Sequence, residues 1–225
     1  MQKGTIEKLF DVLFEHFGPQ NWWPGDSPLE IIVGAVLMQN TAWKNVEKAI
    51  TNLKEKGLLD VEKILGIEDS YLAEIIKPSG FYNLKAKRLK SVLKFVKNNR
   101  GIEVISGKEK HELRSELLKI PGVGKETADS IILYALGKPI FVVDAYTRRI
   151  LKRIGIIDDE NMSYDEIQKL FHENLPNDEK LFNEFHALFV ALGKKYCLKR
   201  NPLCNLCPVK SYCKYGREFS GSNGN

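Results

Sequence analysis

The chain has 225 residues, of which 43% are hydrophobic and 28% charged, and its formal net charge is +5. This length and composition are those of a globular protein with a buried core. The longest apolar run, residues 31–38, is too short to cross a bilayer, and the N-terminal residues carry charges in place of the apolar stretch of a signal peptide. We therefore expect a cytoplasmic protein with no membrane partner. The basic charge is compatible with a nucleic-acid partner without establishing one.

Apolar residues recur along most of the chain with the spacing of amphipathic helices. Between residues 85 and 98, the apolar side chains are expected to face inward and the lysines outward. No segment alternates apolar and polar residues over the length of a strand, so the predicted fold class is all-α. The predicted helices are residues 6–17, 29–39, 46–53, 85–98, 109–118, 125–136, 145–154, 164–174 and 180–195.

Two of these helices are joined by a hairpin with the sequence Ile-Pro-Gly-Val-Gly-Lys, residues 120–125. Pro121 ends the first helix, and Gly122 and Gly124 are expected to turn the backbone with positive φ. The free N–H groups that open the next helix form an anion site suited to a phosphate, and the hairpin carbonyls suit a monovalent cation. A plain helix–turn–helix corner fits the same residues. A nucleotide P-loop does not, because the spacer before Gly-Lys and the preceding strand are missing.

The hairpin, followed along the chain by Asp144, resembles the helix-hairpin-helix DNA glycosylase superfamily, specifically its endonuclease III branch. The resemblance extends over residues 29–213. It implies an all-α architecture of two helical subdomains with double-stranded DNA in the cleft between them. The expected subdomains are a helical barrel that contains the hairpin, residues 26–138, and a cluster-bearing subdomain of residues 1–25 and 139–219, followed by a disordered tail of residues 220–225.

The resemblance also assigns DNA-contacting residues. Residues 37–41 resemble the family segment that fills the gap left by a flipped nucleotide with a glutamine, here Gln39. Residues 79–86 resemble the segment that supplies an intercalating wedge, here Phe81. The hairpin residues expected to meet DNA phosphates are Gly122, Gly124 and Lys125.

All cysteines of the chain are crowded near its C-terminal end in the pattern C-x6-C-x2-C-x5-C. Four thiolates in one loop suit either tetrahedral zinc or a [4Fe–4S] cluster, and chemistry alone does not choose between them. The spacing is similar to that of the cluster loop of endonuclease III, so the resemblance implies a [4Fe–4S] cluster. Lys199 and Arg200 lie in this loop and are expected to meet DNA phosphates. The expected ligands are Cys197, Cys204, Cys207 and Cys213.

Asp144 follows the apolar residues 140–143 and precedes a predicted helix. On its own, an aspartate at this place is as well explained by an N-cap. The resemblance assigns it the catalytic role, in which the carboxylate stabilises the positive charge that develops on the sugar as the N-glycosidic bond breaks, and orients the attacking water.

Glu126 occupies the position where bifunctional members of the family carry a lysine that forms a Schiff base with the sugar. A carboxylate cannot form an imine. The adjacent Lys125 points roughly 100° away on a helix and is expected to meet phosphate instead. The sequence therefore predicts a monofunctional glycosylase that leaves an abasic site.

The tryptophans indicate the class of base. Aromatic faces stack on a flipped base and attract a cationic alkylated purine, although each ring is equally compatible with a core position. Together with Gln39 and the residues around Glu126, they resemble the 3-methyladenine glycosylase offshoot of the family. The expected base pocket is formed by Trp22, Trp23, Trp43 and Glu126.

Other functions stay open at this point. One is an endonuclease III-type glycosylase and lyase for damaged pyrimidines, a second is a mismatch glycosylase, and a third is a non-catalytic binder of damaged DNA. The four histidines show no metal-ligand spacing and are expected to be surface or core residues. A monomer is expected.

Overall fold

The structure is a computed structural model that describes residues 3–22, 25–159 and 161–218. The tail that was expected to be disordered, residues 220–225, lies outside this range. Within the described residues, every helix is too short or too polar to cross a bilayer.

The chain forms two compact units, one made of Met1–Trp22 with Pro139–Asn225 and the other of Trp23–Lys138. We call them the terminal unit and the central unit. Along the chain, the α-helices are α1 (Lys3–Phe17), α2 (Pro28–Leu37), α3 (Trp43–Glu55), α4 (Val61–Gly66), α5 (Asp69–Ile75), α6 (Tyr82–Asn98), α7 (Ile102–Ser106), α8 (Lys110–Leu118), α9 (Lys125–Ser130), α10 (Ala145–Ile154), α11 (Tyr164–Asn174), α12 (Glu179–Lys195) and α13 (Lys214–Glu218).

The all-α prediction is confirmed, because the described part of the chain contains helices and no strand. Helix α9 continues as a π-helical turn, Ile131–Ala135, and short 3-10 turns lie at Lys77–Ser79, Cys204–Leu206 and Lys210–Tyr212. The long helices were predicted from their apolar spacing. The short helices α4, α5, α7 and α13 were not, since helices of five to seven residues show too little periodicity to be recognised.

The terminal unit has an aromatic core. Phe141 stacks on Phe171 with ring centroids 3.5 Å apart and planes inclined by 6°. Further buried rings meet this pair edge-on, an arrangement that aromatic quadrupoles favour. These rings are Phe182, Phe185 and Phe189.

Side chains of α11 hold residues 140–143, which lie outside the helices, in place. The Phe141 N–H donates to His172 Nε2 at 3.2 Å, and its carbonyl accepts from Gln168 at 2.6 Å. The Val143 N–H donates to the Tyr164 hydroxyl at 3.3 Å. Because buried backbone groups need such partners, these bonds fix the segment that leads into Asp144.

Candidate functional site

The hairpin between α8 and α9 requires glycine at one of its two glycine positions. Gly122 has φ +85°, and a Cβ built there would lie 2.5–2.7 Å from side-chain atoms of Arg88. Gly124 has φ −90°, so the expected positive φ is wrong for this residue. No atom lies within 4 Å of the position of a Cβ on Gly124, and the residue is exposed. Gly122 therefore forms the turn, whereas Gly124, which has no side chain, leaves the first residues of α9 accessible to a ligand.

The side chain of Gln39 ties the end of α2 to this hairpin. Its Nε2 donates to the carbonyl oxygen of Gly122 and to Oγ1 of Thr127, each 3.0 Å away. Its Oε1 accepts a hydrogen bond from Arg88. In this structure Gln39 thus braces the hairpin, and its entry into the gap left by a flipped base stays a prediction.

Phe81 is the residue before α6, and it combines exposure with a strained backbone. Its φ is +47°, which is the left-handed region, and 68% of the residue is exposed. A bulky residue in this region costs on the order of 1–3 kcal/mol, and such strain concentrates at functional positions. The wedge role of Phe81 stays a prediction to which this geometry is suited.

Lys85 is buried, so its expected place on the outer face of α6 is wrong. Only 1% of the residue is exposed, and its Nζ donates to the carbonyl oxygens of Leu37 at 2.8 Å and Ser79 at 2.6 Å. Burial, aided by the charge of Arg88, lowers the pKa of Lys85 to about 8. The ammonium group connects the end of α2 with the turn that precedes Phe81.

Asp144 caps α10, as the sequence allowed. Its Oδ1 accepts from the N–H of Thr147 at 2.7 Å and from the Thr147 hydroxyl at 2.9 Å. Its Oδ2 lies 3.5 Å from Nε2 of His186. Burial by itself raises the pKa of Asp144, but His186 and the two Thr147 donors more than offset that effect, so the pKa lies below its usual value. The carboxyl group is therefore ionised at neutral pH.

Sequence reasoning missed the association of His186 with Asp144. The histidine was expected to be a plain surface or core residue, and it is buried, with 5% of its surface exposed. It lies on α12, far along the chain from Asp144, and no local spacing connects the two. Only the packing of α12 on α10 brings them together.

The structure places the expected base-pocket residues in both units. Glu126 is the second residue of α9 and is exposed, and Lys125 precedes it. Trp43 opens α3 and is half-buried beside a pocket of about 530 Å³ that is also lined by Glu47. Trp22 belongs to the terminal unit, where Lys194 lies 5.5 Å from the centroid of its ring. Trp23 lies outside the described residues.

All four cysteines line one small cavity of the terminal unit, with a volume of about 20 Å³. Burial raises the pKa of the Cys207 thiol to about 11, and it also raises the pKa values of Cys204 and Cys213. Cys197 Sγ lies 3.2 Å from a guanidinium nitrogen of Arg153. Among the described residues, however, no three histidine, cysteine, aspartate or glutamate side chains stand as a metal site requires. The donor set thus suits an iron–sulfur cluster in number and chemistry, but its side chains are not arranged for ligation.

The two basic residues of the cysteine loop, Lys199 and Arg200, are exposed. Arg153 of α10 contacts the first residues of this loop and donates to the carbonyl oxygens of Leu198 at 2.7 Å and Lys199 at 3.2 Å. The loop is therefore anchored to α10 through its backbone, and its basic side chains remain accessible.

Comparison with known proteins identifies related chains over most of the sequence. A family model described as "HhH-GPD superfamily base excision DNA repair protein" matches residues 33–177, which include Gln39, the hairpin and Asp144. A Methanocaldococcus jannaschii protein provisionally described as a DNA repair glycosylase is 52% identical, with 92% of this chain and 95% of the relative aligned. Endonuclease III of Thermotoga maritima is 31% identical, with 94% and 93% aligned.

A solved structure gives the same picture. The 3-methyladenine DNA glycosylase MagIII of H. pylori, bound to 1,N6-ethenoadenine, superposes with a TM-score of 0.74 and 33% sequence identity. The match covers 86% of this chain and 97% of MagIII.

Proposed function

The chain belongs to the HhH-GPD superfamily and is a base-excision-repair DNA glycosylase, and we propose that it is a monofunctional enzyme that excises alkylated purines such as 3-methyladenine from double-stranded DNA. One observation carries the monofunctional assignment. Glu126 is the second residue of α9, and the family resemblance aligns this position with the lysine of bifunctional members.

Asp144 is the proposed catalytic residue. Breaking an N-glycosidic bond leaves positive charge on the sugar, which a nearby carboxylate stabilises. Asp144 is ionised because His186 and Thr147 hold its pKa below the usual value in spite of burial. Its fixed place at the start of α10 also suits it to orient the attacking water.

Glu126 excludes the usual route to strand cleavage. Lyase chemistry in this family proceeds through a Schiff base, and a carboxylate cannot form one. We expect the reaction to end with release of the base and an abasic site in an intact strand. Lys125 is expected to contact a DNA phosphate, because it opens α9 next to the hairpin.

The substrate class follows from charge and aromatic surface. A purine alkylated at a ring nitrogen is cationic, so aromatic faces and carboxylates attract it. The cationic base is also a good leaving group, because it departs as a neutral molecule. Glu126 and half-buried Trp43, which belong to the central unit, are proposed to supply such groups, and so are Trp22 and Trp23. The 33% identity to MagIII, a 3-methyladenine glycosylase, favours the same class.

The proposed DNA contacts fall into two kinds. Phosphate contacts come from the hairpin, whose exposed Gly124 allows close approach, and from the exposed Lys199 and Arg200. Contacts inside the duplex come from Gln39 and Phe81, as the resemblance implies. A monovalent cation at the hairpin carbonyls belongs to the same proposal.

We also propose that the four cysteines hold a [4Fe–4S] cluster with a structural role. Their number, their spacing and their common cavity support this assignment. Since ligation requires thiolates that converge, cluster binding must deprotonate these thiols and rearrange the loop around them. No step of base release passes through the cluster.

A second function has specific support. The 31% identity to endonuclease III of T. maritima over 94% of this chain is compatible with a glycosylase and lyase for damaged pyrimidines. That enzyme would need an amine other than the side chain at position 126. Covalent trapping by borohydride on DNA distinguishes it from the first proposal.

The proposal is tested by Asp144→Asn in a base-release assay on methylated duplex DNA. Asparagine also caps helices well, so the fold is retained while the negative charge is lost. We expect the single-turnover rate of 3-methyladenine release to fall by about 10²–10³-fold, with DNA affinity preserved. Release at the wild-type rate by the variant would remove Asp144 from the chemistry. A wild-type protein that bound damaged DNA but released no base of any kind would favour the non-catalytic binder.

A further inference from the structure

The two oxygens of Asp144 have different surroundings. Oδ1 accepts both hydrogen bonds from Thr147 and is committed to capping α10. Oδ2 makes neither of these two bonds. Within the described residues, its polar neighbour is His186, whose Nε2 lies 3.5 Å away.

His186 lies beside Asp144 because α12 packs closely on α10. A Cβ on Gly193 would lie 2.2 Å from the ring of Tyr146, so the absence of a side chain there lets the two helices approach. Arg149 of α10 donates to the carbonyl oxygens of Gly193 at 3.3 Å and Cys197 at 2.9 Å, which ties the end of α12 to α10.

The buried imidazole packs against an aromatic ring. The ring of Phe141 meets it edge-on with centroids 6.4 Å apart, and both residues are buried. Water therefore does not compete strongly for Nε2, and a hydrogen bond to a charged group is stronger in such surroundings.

We propose that His186 is a positioning residue for the glycosylase reaction: its Nε2 donates to Oδ2 of Asp144 and keeps the carboxylate aimed toward the sugar, without itself touching DNA. This inference rests on the proposed role of Asp144. A carboxylate held at one oxygen by the helix cap alone can still rotate its second oxygen away. A hydrogen bond from His186 to Oδ2 would fix both oxygens, which is the preorganisation that electrostatic catalysis requires.

Three substitutions separate positioning from packing. His186→Phe keeps a ring of similar size but removes the donor, His186→Gln places an amide Nε2 near the original nitrogen, and His186→Asn is too short to reach Oδ2. We expect His186→Phe and His186→Asn to slow single-turnover release of 3-methyladenine by about 10- to 100-fold, the value of one hydrogen bond to a charged group. Their dissociation constants for the same duplex should stay unchanged, and His186→Gln should recover most of the rate.

The readouts distinguish this inference from the proposed function. His111→Phe, at an exposed histidine of the central unit, serves as the matched control and should keep the wild-type rate. If Asp144→Asn abolishes release while His186→Phe and His186→Asn keep the wild-type rate, the positioning role is overturned and the proposed function stands. If all three His186 variants, including His186→Gln, are slowed in proportion to their loss of melting temperature, His186 acts through packing alone. If His186→Phe does not fold, the contrast between the Gln and Asn variants decides.

Discussion

The buried Lys85 and the partly buried Asp144 must be stabilised by their neighbours, because a charge taken out of water costs several kcal/mol unless it is paired or hydrogen-bonded. Asp144 is stabilised by a cap and a histidine. Lys85 is stabilised by two carbonyl oxygens, and its pKa falls to about 8. The cap formed by Asp144 is visible in the local sequence, whereas its contact with His186 and the carbonyl partners of Lys85 come from other helices and turns.

Lys85 makes stability depend on pH in a defined window. Between about pH 8 and its ordinary pKa of 10.5, the folded chain has released the Lys85 proton while the unfolded chain still holds it. The unfolded state then binds more protons, so stability rises with pH. We expect the free energy of unfolding of the wild type, relative to Lys85→Met, to increase from pH 8 to pH 10.5 in urea titrations.

Lys94 provides the control for this measurement, because it lies on the same helix and is exposed. The difference in stability between the wild type and Lys94→Met should stay level across the same pH range. A level difference for Lys85→Met as well would show that the buried ammonium does not titrate in this window.

At the scale of the structural elements, the two glycines of the hairpin between α8 and α9 have different roles. Gly122 adopts a left-handed conformation against Arg88, whereas Gly124 has an ordinary backbone conformation with open space beside it. Gly122→Ala is expected to lower the free energy of unfolding by about 1–2 kcal/mol, the cost of a Cβ in the left-handed region. Gly124→Ala should cost less, since only the preference for glycine at an N-cap is lost.

Chemical denaturation of the two variants side by side checks this prediction. Equal losses of stability would mean that the hairpin relaxes around Gly122 and that its turn does not depend on glycine there. DNA affinity measured on the same proteins reports separately on Gly124, where a methyl group would obstruct the proposed phosphate contact.

At the scale of the whole molecule, the sequence predicted the helical class and the long helices, because their apolar spacing and caps are local signals. Helix α10 is an example, with Asp144 as its cap. The sequence did not predict the burial of Lys85, the backbone conformation of Gly124 or the contact of His186 with Asp144. Each of these depends on tertiary packing, which carries no signature over a few residues.

The cysteine loop leads to a prediction for the chain as a whole. If the four thiols hold a cluster, metal binding contributes to folding, and removal of one ligand lowers both metal content and stability. We expect purified wild type to contain iron and sulfide in the ratio of a [4Fe–4S] cluster, and Cys207→Ser to lose both together with several degrees of melting temperature. Asp144→Asn should keep its iron. Zinc without iron in the purified protein would contradict the iron–sulfur assignment and identify a four-thiolate zinc site.

The most direct test of the account measures base release and strand breaks in the same reaction on two matched duplexes, one with 3-methyladenine and one with an oxidised pyrimidine. We expect free 3-methyladenine from the first duplex, strands that break only after alkali, and no adduct trapped by borohydride. Base release from the second duplex, with direct nicking and a trapped adduct, would contradict the assignment of a monofunctional alkylpurine glycosylase. It would show that an amine elsewhere in the chain performs the lyase chemistry that Glu126 cannot.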